Sequence, residues 1–242
     1  MVWALLPVKD LVRAKTRLGG ILAPHERRAL AQAMVEDVLS VLVNVPGLEG
    51  IQLVSDDPGA GLLGHKYAID VITELSLGCR GLNPVISATA DYLQDRGARD
   101  VMVMHCDLPL LQAGDVEMLL ELYRQPNADI VLAPDLAGTG TNVMLFALDR
   151  RPCLNYGVGS CQAHLASAVE QGLGCELLRN PRLGLDIDQP GDLLHLYHEL
   201  QSGVRGEYTA VVLLEARIAQ RLAIMERSGL SAEMGRESHG PI

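Results

Sequence analysis

Aromatic side chains and long apolar runs are both scarce in this sequence. Phe, Trp and Tyr together make up 3% of the 242 residues, which leaves few flat surfaces on which the bases of a single-stranded nucleic acid can stack. No apolar run approaches the roughly 18 residues that a membrane-spanning helix requires. The sequence therefore predicts neither a single-strand-binding protein nor a membrane protein.

The sequence also has fewer basic residues than acidic ones. The chain has 20 Lys and Arg residues against 30 Asp and Glu residues, and a surface of that sign repels the phosphates of DNA and RNA. The 5 cysteines form no C-x-x-C pair and one of them must stay unpaired, as is typical of a reducing compartment. Residues 1–8 are apolar, but they lack the basic residues that begin a secretion signal, and Lys9 follows too soon for the apolar segment of such a signal. We expect a cytoplasmic protein with no nucleic-acid partner and no membrane partner.

Two aspartates one residue apart are the most informative feature that is present. Asp186 and Asp188 point to the same face if their segment is extended, and Asp107 follows a distant apolar run that reads as a strand. Carboxylate oxygens are the ligands that Mg²⁺ prefers, and a protein-bound Mg²⁺ usually also holds substrate phosphates. The alternative is that Asp188 or Asp192 caps a helix that begins near residue 190.

A basic loop follows the first predicted strand. It contains four basic residues and one acidic residue: Lys9, Asp10, Arg13, Lys15 and Arg17. Local positive charge in an acidic protein suits a triphosphate, because Lys and Arg neutralise phosphoryl oxygens. The alternative is an ordinary solvated loop. No P-loop motif G-x-x-x-x-G-K-[S/T] is present, which disfavours a kinase-like NTPase.

Two glycine-containing segments are candidate anion sites. Gly138-Thr139-Gly140-Thr141-Asn142 precedes a predicted strand, and Gly157-Val158-Gly159-Ser160 opens a predicted helix that Ser160 is expected to cap. A helix N-terminus presents free N–H groups to an anion. His164 lies one turn further on the same face, where an isolated histidine more often packs than catalyses.

Hydrophobic periodicity predicts an α/β fold with a mostly parallel central sheet and helices on both faces. The predicted strands cover residues 2–8, 51–55, 101–105, 130–133, 143–148 and 175–178. The predicted helices cover residues 24–44, 83–97, 115–124 and 160–171. Residues 1–203 are expected to form the main domain, called the body here. Residues 204–227 are expected to form one amphipathic helix that packs on the body or on a second subunit in a homodimer. Residues 228–242 are expected to form a flexible tail.

Taken together, the motifs resemble those of the guanylyltransferases of coenzyme F-420 biosynthesis. The resemblance covers residues 2 to about 200 and is carried by Pro7-Val8-Lys9-Asp10 with Ala14-Lys15-Thr16-Arg17-Leu18, Gly81-Leu82-Asn83, Asp107-Leu108-Pro109, Gly140-Thr141-Asn142, Gly157-Val158-Gly159-Ser160 with His164, and Gly184-Leu185-Asp186-Ile187-Asp188. It implies a Rossmann-like nucleotidyltransferase fold. It also implies a reaction of GTP with 2-phospho-L-lactate, phosphoenolpyruvate or 3-phospho-D-glycerate, which gives a guanosine diphosphate conjugate and pyrophosphate.

The same resemblance assigns roles to individual positions. Asp107, Asp186 and Asp188 would hold the Mg²⁺ cofactor, and Thr141, Gly157 and Ser160 would grip the phosphorylated acid. Lys9, Lys15 and Arg17 would bind the triphosphate, and these three together with Asp107 are the candidate catalytic residues. Gly81, Leu82 and Asn83 lie where the nucleotide passes, and Asp56 is a candidate for reading guanine. Asn142, Cys161 and His164 are the further candidates for the acid site, and Asn142 and Cys161 stand where family members vary.

Two other functions remain open from the sequence. Another nucleotidyltransferase of this architecture would load a sugar phosphate or a molybdenum cofactor precursor, although those relatives usually have a glycine-rich loop where Pro7-Val8-Lys9 stands here. A non-catalytic nucleotide sensor would bind GTP and Mg²⁺ without releasing pyrophosphate.

Overall fold

A seven-stranded sheet forms the centre of the computed structural model, which describes residues 2–9, 11, 15–204, 206–227 and 229. The strands are β1 (Val2–Pro7), β2 (Leu48–Val54), β3 (Asp70–Ile72), β4 (Asp100–Met104), β5 (Ile130–Pro134), β6 (Thr141–Ala147) and β7 (Cys175–Leu177). Their spatial order is β3-β2-β1-β4-β6-β5-β7. Only β6 runs antiparallel to its neighbours β4 and β5, so the predicted mostly parallel sheet is confirmed.

Within the described ranges the helices are α1 (Pro24–Leu42), α2 (Pro58–Tyr67), α3 (Leu82–Asp95), α4 (Ala113–Tyr123), α5 (Ser160–Glu170), α6 (Pro181–Gly184), α7 (Pro190–Gln201), α8 (Glu207–Leu213) and α9 (Ala216–Arg227). Helices α1 to α5 lie between successive strands, except that β5 leads directly into β6, and helices α6 to α9 follow β7. The predicted positions of α1, α3, α4 and α5 are confirmed.

Both faces of the sheet are covered, as the α/β prediction requires. Ala4 and Leu6 of β1 pack into one core with α1, α2 and α4, whereas Leu5 packs into a second core with α3 and α5. This alternation along β1 follows from the two-residue repeat of a strand. Burial on both faces explains why the strands read as continuous apolar runs.

The C-terminal extension differs from the prediction in one respect. Two helices, α8 and α9, stand where one was predicted, and Leu214 and Glu215 separate them. Both helices share a third core with α1 and α7, and Leu213 and Leu222 are fully buried in it. The carboxylate of Asp37 in α1 accepts hydrogen bonds from the backbone N–H groups of Tyr208 and Thr209 at 2.9 Å each, which fixes the start of α8 on the body. The predicted flexible tail lies outside the described residues except for Gly229.

Three elements were absent from the sequence prediction: α2, β3 and α6. In α2, Gly59, Gly61 and Gly64 have the G-x-G-x-x-G spacing, but all three lie inside the helix rather than in a phosphate-binding turn. A Cβ on Gly64 would lie 2.3 Å from Val71 Cγ2, so this glycine permits close packing of α2 on β3. Over the described residues, no helix has the length and apolar character needed to span a membrane.

Candidate active site

The predicted site residues gather at one edge of the sheet. Because β1 to β5 and β7 run in the same direction, their carboxyl ends lie together, and the antiparallel β6 begins at that edge with Thr141. Lys9 follows β1, Asp56 follows β2 and Asp107 follows β4. Open α/β sheets bind their ligands at this edge.

Lys15 lies between two of the predicted metal ligands. Its Nζ atom is 2.6 Å from Oδ2 of Asp107 and 2.9 Å from Oδ1 of Asp188. Its backbone has φ 55° and ψ 41°, a left-handed conformation that is uncommon for a residue with a side chain and costs free energy. Contacts elsewhere in the fold must offset that cost, and the two charged hydrogen bonds are such contacts.

The charges of this cluster are strongly coupled. The Lys15 side chain is only 9% exposed, and burial disfavours its ammonium form, but the negative charges of Asp107 and Asp188 raise its pKa above the usual value. Burial would likewise raise the pKa of Asp107, but Lys15, the largest opposing influence, holds it below the usual range. Lys15 and Asp107 are therefore both ionised at neutral pH.

Asp186, the third predicted ligand, is held beside this pair. Its Oδ1 accepts a hydrogen bond of 3.2 Å from the side-chain amide of Asn142, which also donates to the carbonyl of Leu183. Burial raises the pKa of Asp186 to about 7, and the charges of Asp107 and Asp188 add to the rise. The neighbouring Asp192 accepts hydrogen bonds from the backbone N–H groups of Asp188 and Gln189. Asp192 thus caps α7, which leaves the carboxylate of Asp188 to Lys15.

The donor set fits a hard divalent cation. Oδ1 of Asp107 is buried and has no hydrogen-bond partner among the described residues, and three carboxyl groups supply the hard oxygen donors that such an ion prefers. The arrangement is not preformed, because the described residues contain no group of three His, Cys, Asp or Glu side chains positioned to hold a metal ion. The magnesium site stays a prediction.

The basic loop is only partly described. Lys9 and Arg17 are exposed, whereas Asp10 and residues 12–14, among them Arg13, lie outside the described residues. Asp57 holds the loop in place, since its carboxylate accepts hydrogen bonds from the backbone N–H groups of Leu11 at 2.8 Å and Gly59 at 2.7 Å. Sequence reasoning selected Asp56 and missed Asp57, although an Asp directly before a Pro at a helix start is an ordinary capping signal.

The predicted nucleotide-binding residues surround the start of α3. Gly81 precedes the helix with φ 92°, a conformation that favours glycine. The side chain of Asn83 accepts a hydrogen bond of 2.8 Å from the backbone N–H of Tyr156 and donates one of 3.0 Å to its carbonyl. Leu82 packs on the second core, and exposed Asp56 accepts a hydrogen bond from the backbone N–H of Leu75. Asn83 thus joins the predicted nucleotide loop to the segment before Gly157.

Thr141 and His164, two predicted acid-site residues, form a buried pair. Nδ1 of His164 is 3.0 Å from Oγ1 of Thr141, and Nε2 of His164 accepts a hydrogen bond of 2.9 Å from the backbone N–H of Asn155. Because Nε2 is an acceptor, the proton of the neutral ring is on Nδ1 and donates to Thr141. The hydroxyl proton of Thr141 is then available to another acceptor, such as a phosphate oxygen. Burial lowers the pKa of His164 to about 4, so the ring is neutral at pH 7.

The N-cap of α5 lies one residue earlier than predicted. Gly159, with φ 73°, occupies the N-cap position and Ser160 is the first helical residue, so the expected capping by Ser160 is wrong. Gly157 has φ 146°, and a Cβ there would meet no atom within 4 Å. Cys161 is buried, and its backbone N–H donates to the carbonyl of Thr139 at 3.0 Å. This hydrogen bond brings the two glycine segments together.

Besides Asp57, two residues of the site, Tyr156 and His105, were not predicted from the sequence. The ring of Tyr156 lies 5.7 Å from the ring of His105 and 4.9 Å from that of His164, between centroids. The Tyr156 hydroxyl and Nε2 of His105 are buried without a hydrogen-bond partner among the described residues. Native proteins rarely leave buried polar groups without a hydrogen-bond partner. Where such groups do occur, they are typical of sites that receive a ligand or water. No local sequence pattern marks this pairing, because it joins residues from different loops.

Comparison with known proteins places the chain in a family. The family model described as "Guanylyl transferase CofC like" matches residues 2–232, so the likeness extends over the C-terminal helices, beyond the expected limit at about residue 200. A phosphoenolpyruvate guanylyltransferase from Conexibacter woesei is 37% identical over 204 residues, which are 84% of this chain and 90% of the relative. A 2-phospho-L-lactate guanylyltransferase from Methanocella arvoryzae is 30% identical over 229 residues, 95% of both chains.

Solved structures agree on the fold. A candidate nucleotide-diphospho-sugar transferase from Desulfovibrio desulfuricans G20 superposes with a TM-score of 0.74 at 20% identity, covering 91% of this chain and 97% of that one. 4-Diphosphocytidyl-2C-methyl-D-erythritol synthase from Anaerococcus prevotii superposes with a TM-score of 0.58 at 11% identity, covering 83% and 96%. The predicted nucleotidyltransferase fold is confirmed, and the chain belongs to the CofC-like guanylyl transferase family.

Proposed function

We propose that this guanylyltransferase transfers GMP from GTP to the phosphate of a small three-carbon acid in coenzyme F-420 biosynthesis, with release of pyrophosphate. The candidate acids are phosphoenolpyruvate, 2-phospho-L-lactate and 3-phospho-D-glycerate. Phosphoenolpyruvate comes first, because relatives from Conexibacter woesei, Chloroflexus aggregans and Rubrobacter xylanophilus, at 32–37% identity, carry the name phosphoenolpyruvate guanylyltransferase.

One structural observation supports the proposal most directly. The ammonium group of Lys15 lies within hydrogen-bond distance of both Asp107 and Asp188, at the carboxyl end of β4. A cation from the basic loop and two anions from distant segments therefore meet where a nucleotide would bind in such a sheet. Transfer between two phosphate groups needs such opposite charges close together, since both reactants are anions.

The reaction can proceed without a general base. An oxygen of the acid's phosphate attacks the α-phosphorus of GTP, a new P–O bond forms, and the bond from the α-phosphorus to the oxygen bridging the β-phosphorus breaks. A phosphomonoester has a second pKa of about 6, so the attacking oxygen is already ionised at neutral pH. His164 would be a weak base, because burial lowers its pKa to about 4 and its Nε2 already accepts a hydrogen bond from Asn155.

The side chains of the site then act by binding and positioning. Lys9, Lys15 and Arg17 would neutralise the triphosphate, and the available hydroxyl proton of Thr141 would donate to the acid's phosphate. Asp107, Asp186 and Asp188 would hold the magnesium ion, which when bound neutralises phosphate oxygens and orients them.

A pyrophosphate-release assay across four nucleoside triphosphates and a panel of acceptors tests the proposal. The panel contains the three acids and a sugar phosphate, with Mg²⁺ in every reaction and Asp107→Asn as the inactive control. We expect release with GTP and at least one acid, and a product with the mass of the acid joined to guanosine diphosphate. Release only with a sugar phosphate would redirect the substrate assignment, and GTP binding without release for any acceptor would contradict an enzymatic role.

A further inference from the structure

Arg221 in α9 holds the loop that joins Lys15 to α1. Its Nη1 atom donates a hydrogen bond of 2.7 Å to the carbonyl of Ile21, and its Nη2 atom donates one of 2.5 Å to Oε1 of Glu26. The other oxygen of Glu26 accepts a hydrogen bond of 2.7 Å from the backbone N–H of Ala23. Because a guanidinium is planar and its donors point in fixed directions, it holds these acceptors in one relative position.

The loop connects Arg221 to Lys15 through consecutive hydrogen bonds. Thr16–Leu18 form a short 3₁₀ helix directly after Lys15, and the backbone N–H of Leu18 donates to the carbonyl of Lys15 at 3.0 Å. The carbonyl of Leu18 accepts in turn from the N–H of Ile21 at 3.0 Å. A movement of Ile21, the residue that Arg221 holds, would therefore be passed on to the backbone of Lys15.

The backbone of Lys15 depends on such support. Its left-handed conformation, with φ 55°, persists only where the surrounding structure fixes it. The ammonium group lies 2.6 Å from Asp107 and 2.9 Å from Asp188, so a small change of the backbone would take it out of hydrogen-bond distance. The position of the loop thus decides where this charge lies.

The third core joins the C-terminal helices to every segment that supplies Lys15 or a predicted metal ligand. Leu18 follows Lys15 by three residues, Leu110 follows Asp107 by three, and Ile187 lies between the two aspartates that are one residue apart. Leu222, the neighbour of Arg221 in α9, belongs to the same core, and the three leucines and Ile187 are all buried. The C-terminal helices are therefore part of the support of the site.

The guanidinium group of Arg221 is occupied by protein acceptors. Besides its bonds to Ile21 and Glu26, its Nε atom donates to the carbonyl of Arg217 at 3.2 Å. The hydrogen bond from Arg221 also holds the pKa of the Glu26 carboxyl below its usual range, so that carboxylate is ionised at neutral pH. All three guanidinium nitrogens thus donate within the protein, which favours an effect through the loop over direct binding of a phosphate.

We propose that Arg221 is a positioning residue: through Ile21 and Glu26 it fixes the loop after β1 so that the ammonium group of Lys15 meets the triphosphate. This inference rests on the proposed function, since it concerns the nucleotide that Lys15 would bind. It gives the C-terminal helices a part in the use of GTP.

Steady-state kinetics of Arg221→Gln, Arg221→Lys and the control Arg217→Gln test the role. Arg217 is exposed and lies one turn earlier in α9, so its substitution makes the same change in charge on the same helix. We expect Arg221→Gln to raise the KM for GTP about 3- to 30-fold and to leave the KM for phosphoenolpyruvate within about twofold. Arg221→Lys should recover part of the loss, because one ammonium group can replace one of the two contacts, and Arg217→Gln should behave as wild type. An unchanged KM for GTP in Arg221→Gln, or an equal rise for both substrates, would overturn the inference.

A double variant tests whether Arg221 acts through Lys15. In a chain that already carries Lys15→Ala, Arg221→Gln should change the KM for GTP by less than about twofold, because the group that it positions is gone. A general loss of stability would instead add its effect to that of Lys15→Ala. A further rise as large as in the wild-type background would therefore overturn the positioning role.

Failure of the proposed function gives a different pattern, in which the wild type releases no pyrophosphate with any acid. Amide hydrogen exchange of residues 15–22 then tests the loop directly: it should be about threefold or more faster in Arg221→Gln than in Arg217→Gln, with the exchange of β5 unchanged. Calorimetric titration with GTP and Mg²⁺ tests the nucleotide. Faster exchange together with weaker GTP binding in Arg221→Gln supports the inference. Equal exchange in the two variants, a rise over the whole chain, equal GTP binding, or no GTP binding in wild type refutes it.

Discussion

The ammonium nitrogen of Lys15 lies 2.6 Å from Oδ2 of Asp107, although 92 positions separate the two residues in the sequence. The same nitrogen also contacts Asp188, so one cation satisfies oxygens that a magnesium ion is predicted to use. Lys15 and the metal would therefore share acceptors. Under the proposed function, the phosphates of GTP would offer Lys15 a second set of anionic oxygens, and the carboxylates would then be available to the metal.

Asp107→Asn should remove most of the turnover and leave the fold intact. The amide keeps the shape of the side chain but loses the charge that pairs with Lys15 and would bind a metal. We expect kcat to fall about 100-fold or more. Pyrophosphate release measures the effect, circular dichroism checks the fold, and Asp95→Asn at the exposed end of α3 is the matched control. Near-normal turnover of purified Asp107→Asn would remove Asp107 from the metal site.

Lys15→Ala should chiefly weaken the use of GTP. Loss of the ammonium group removes positive charge from the predicted triphosphate site, and we expect the KM for GTP to rise at least about tenfold while the KM for the acid stays near its original value. Lys66→Ala on α2 serves as control, since its exposed side chain pairs with Glu36 away from the site. Unchanged kinetic constants for GTP would contradict the role given to Lys15.

Local patterns explain how much of this fold was predictable from the sequence. The strands β1, β4 and β6 are continuous apolar runs, and α1 and α5 have proline or glycine signals at their starts, so residues near in sequence determine them. β3 was missed because it has only three residues and begins with a charged one, Asp70, whereas the equally short β7 follows a helix stop at Gly172 that separates it in the sequence. The break between α8 and α9 was missed because the apolar stripe continues across it, with Leu213 and Ile218 in the same core.

The candidate site was predictable only in part. The spacing of Asp186 and Asp188 and the position of Asp107 after a strand indicated acidic side chains at one edge of the sheet. The contact of Lys15 with Asp107 and the pairing of Asn83 with the backbone of Tyr156 join segments that are 92 and 73 positions apart. Periodicity and local motifs carry no information about such contacts. Tertiary packing alone determines them.

Tyr156→Phe tests whether the buried hydroxyl of Tyr156 contributes to the stability of the fold. The hydroxyl is buried without a partner among the described residues, so its removal should leave the free energy of unfolding unchanged or raise it by up to about 1 kcal/mol. Chemical denaturation without substrate measures this, with Tyr92→Phe as control, because the hydroxyl of Tyr92 accepts a hydrogen bond from exposed Arg96. A loss of more than about 1 kcal/mol would mean that the hydroxyl has a partner in solution, such as a bound water.

His164 should make the fold less stable in mild acid. Burial lowers its pKa to about 4 in the folded protein, whereas an unfolded histidine titrates near about 6.5. Between these values the unfolded chain binds a proton that the folded chain excludes, so the free energy of unfolding falls as the pH is lowered from about 6.5 to about 4, by about 3 kcal/mol in total. At pH 7 this cost is absent.

His164→Gln loses the hydrogen bonds to Thr141 and Asn155 and should be less stable at pH 7, but its stability should fall less between pH 7 and pH 5 than that of wild type. Urea unfolding at the two pH values measures the difference, and His65→Gln on the exposed face of α2 should keep the wild-type pH dependence. The same loss of stability on acidification in His164→Gln as in wild type would show that the neutral ring is not the source of the acid sensitivity.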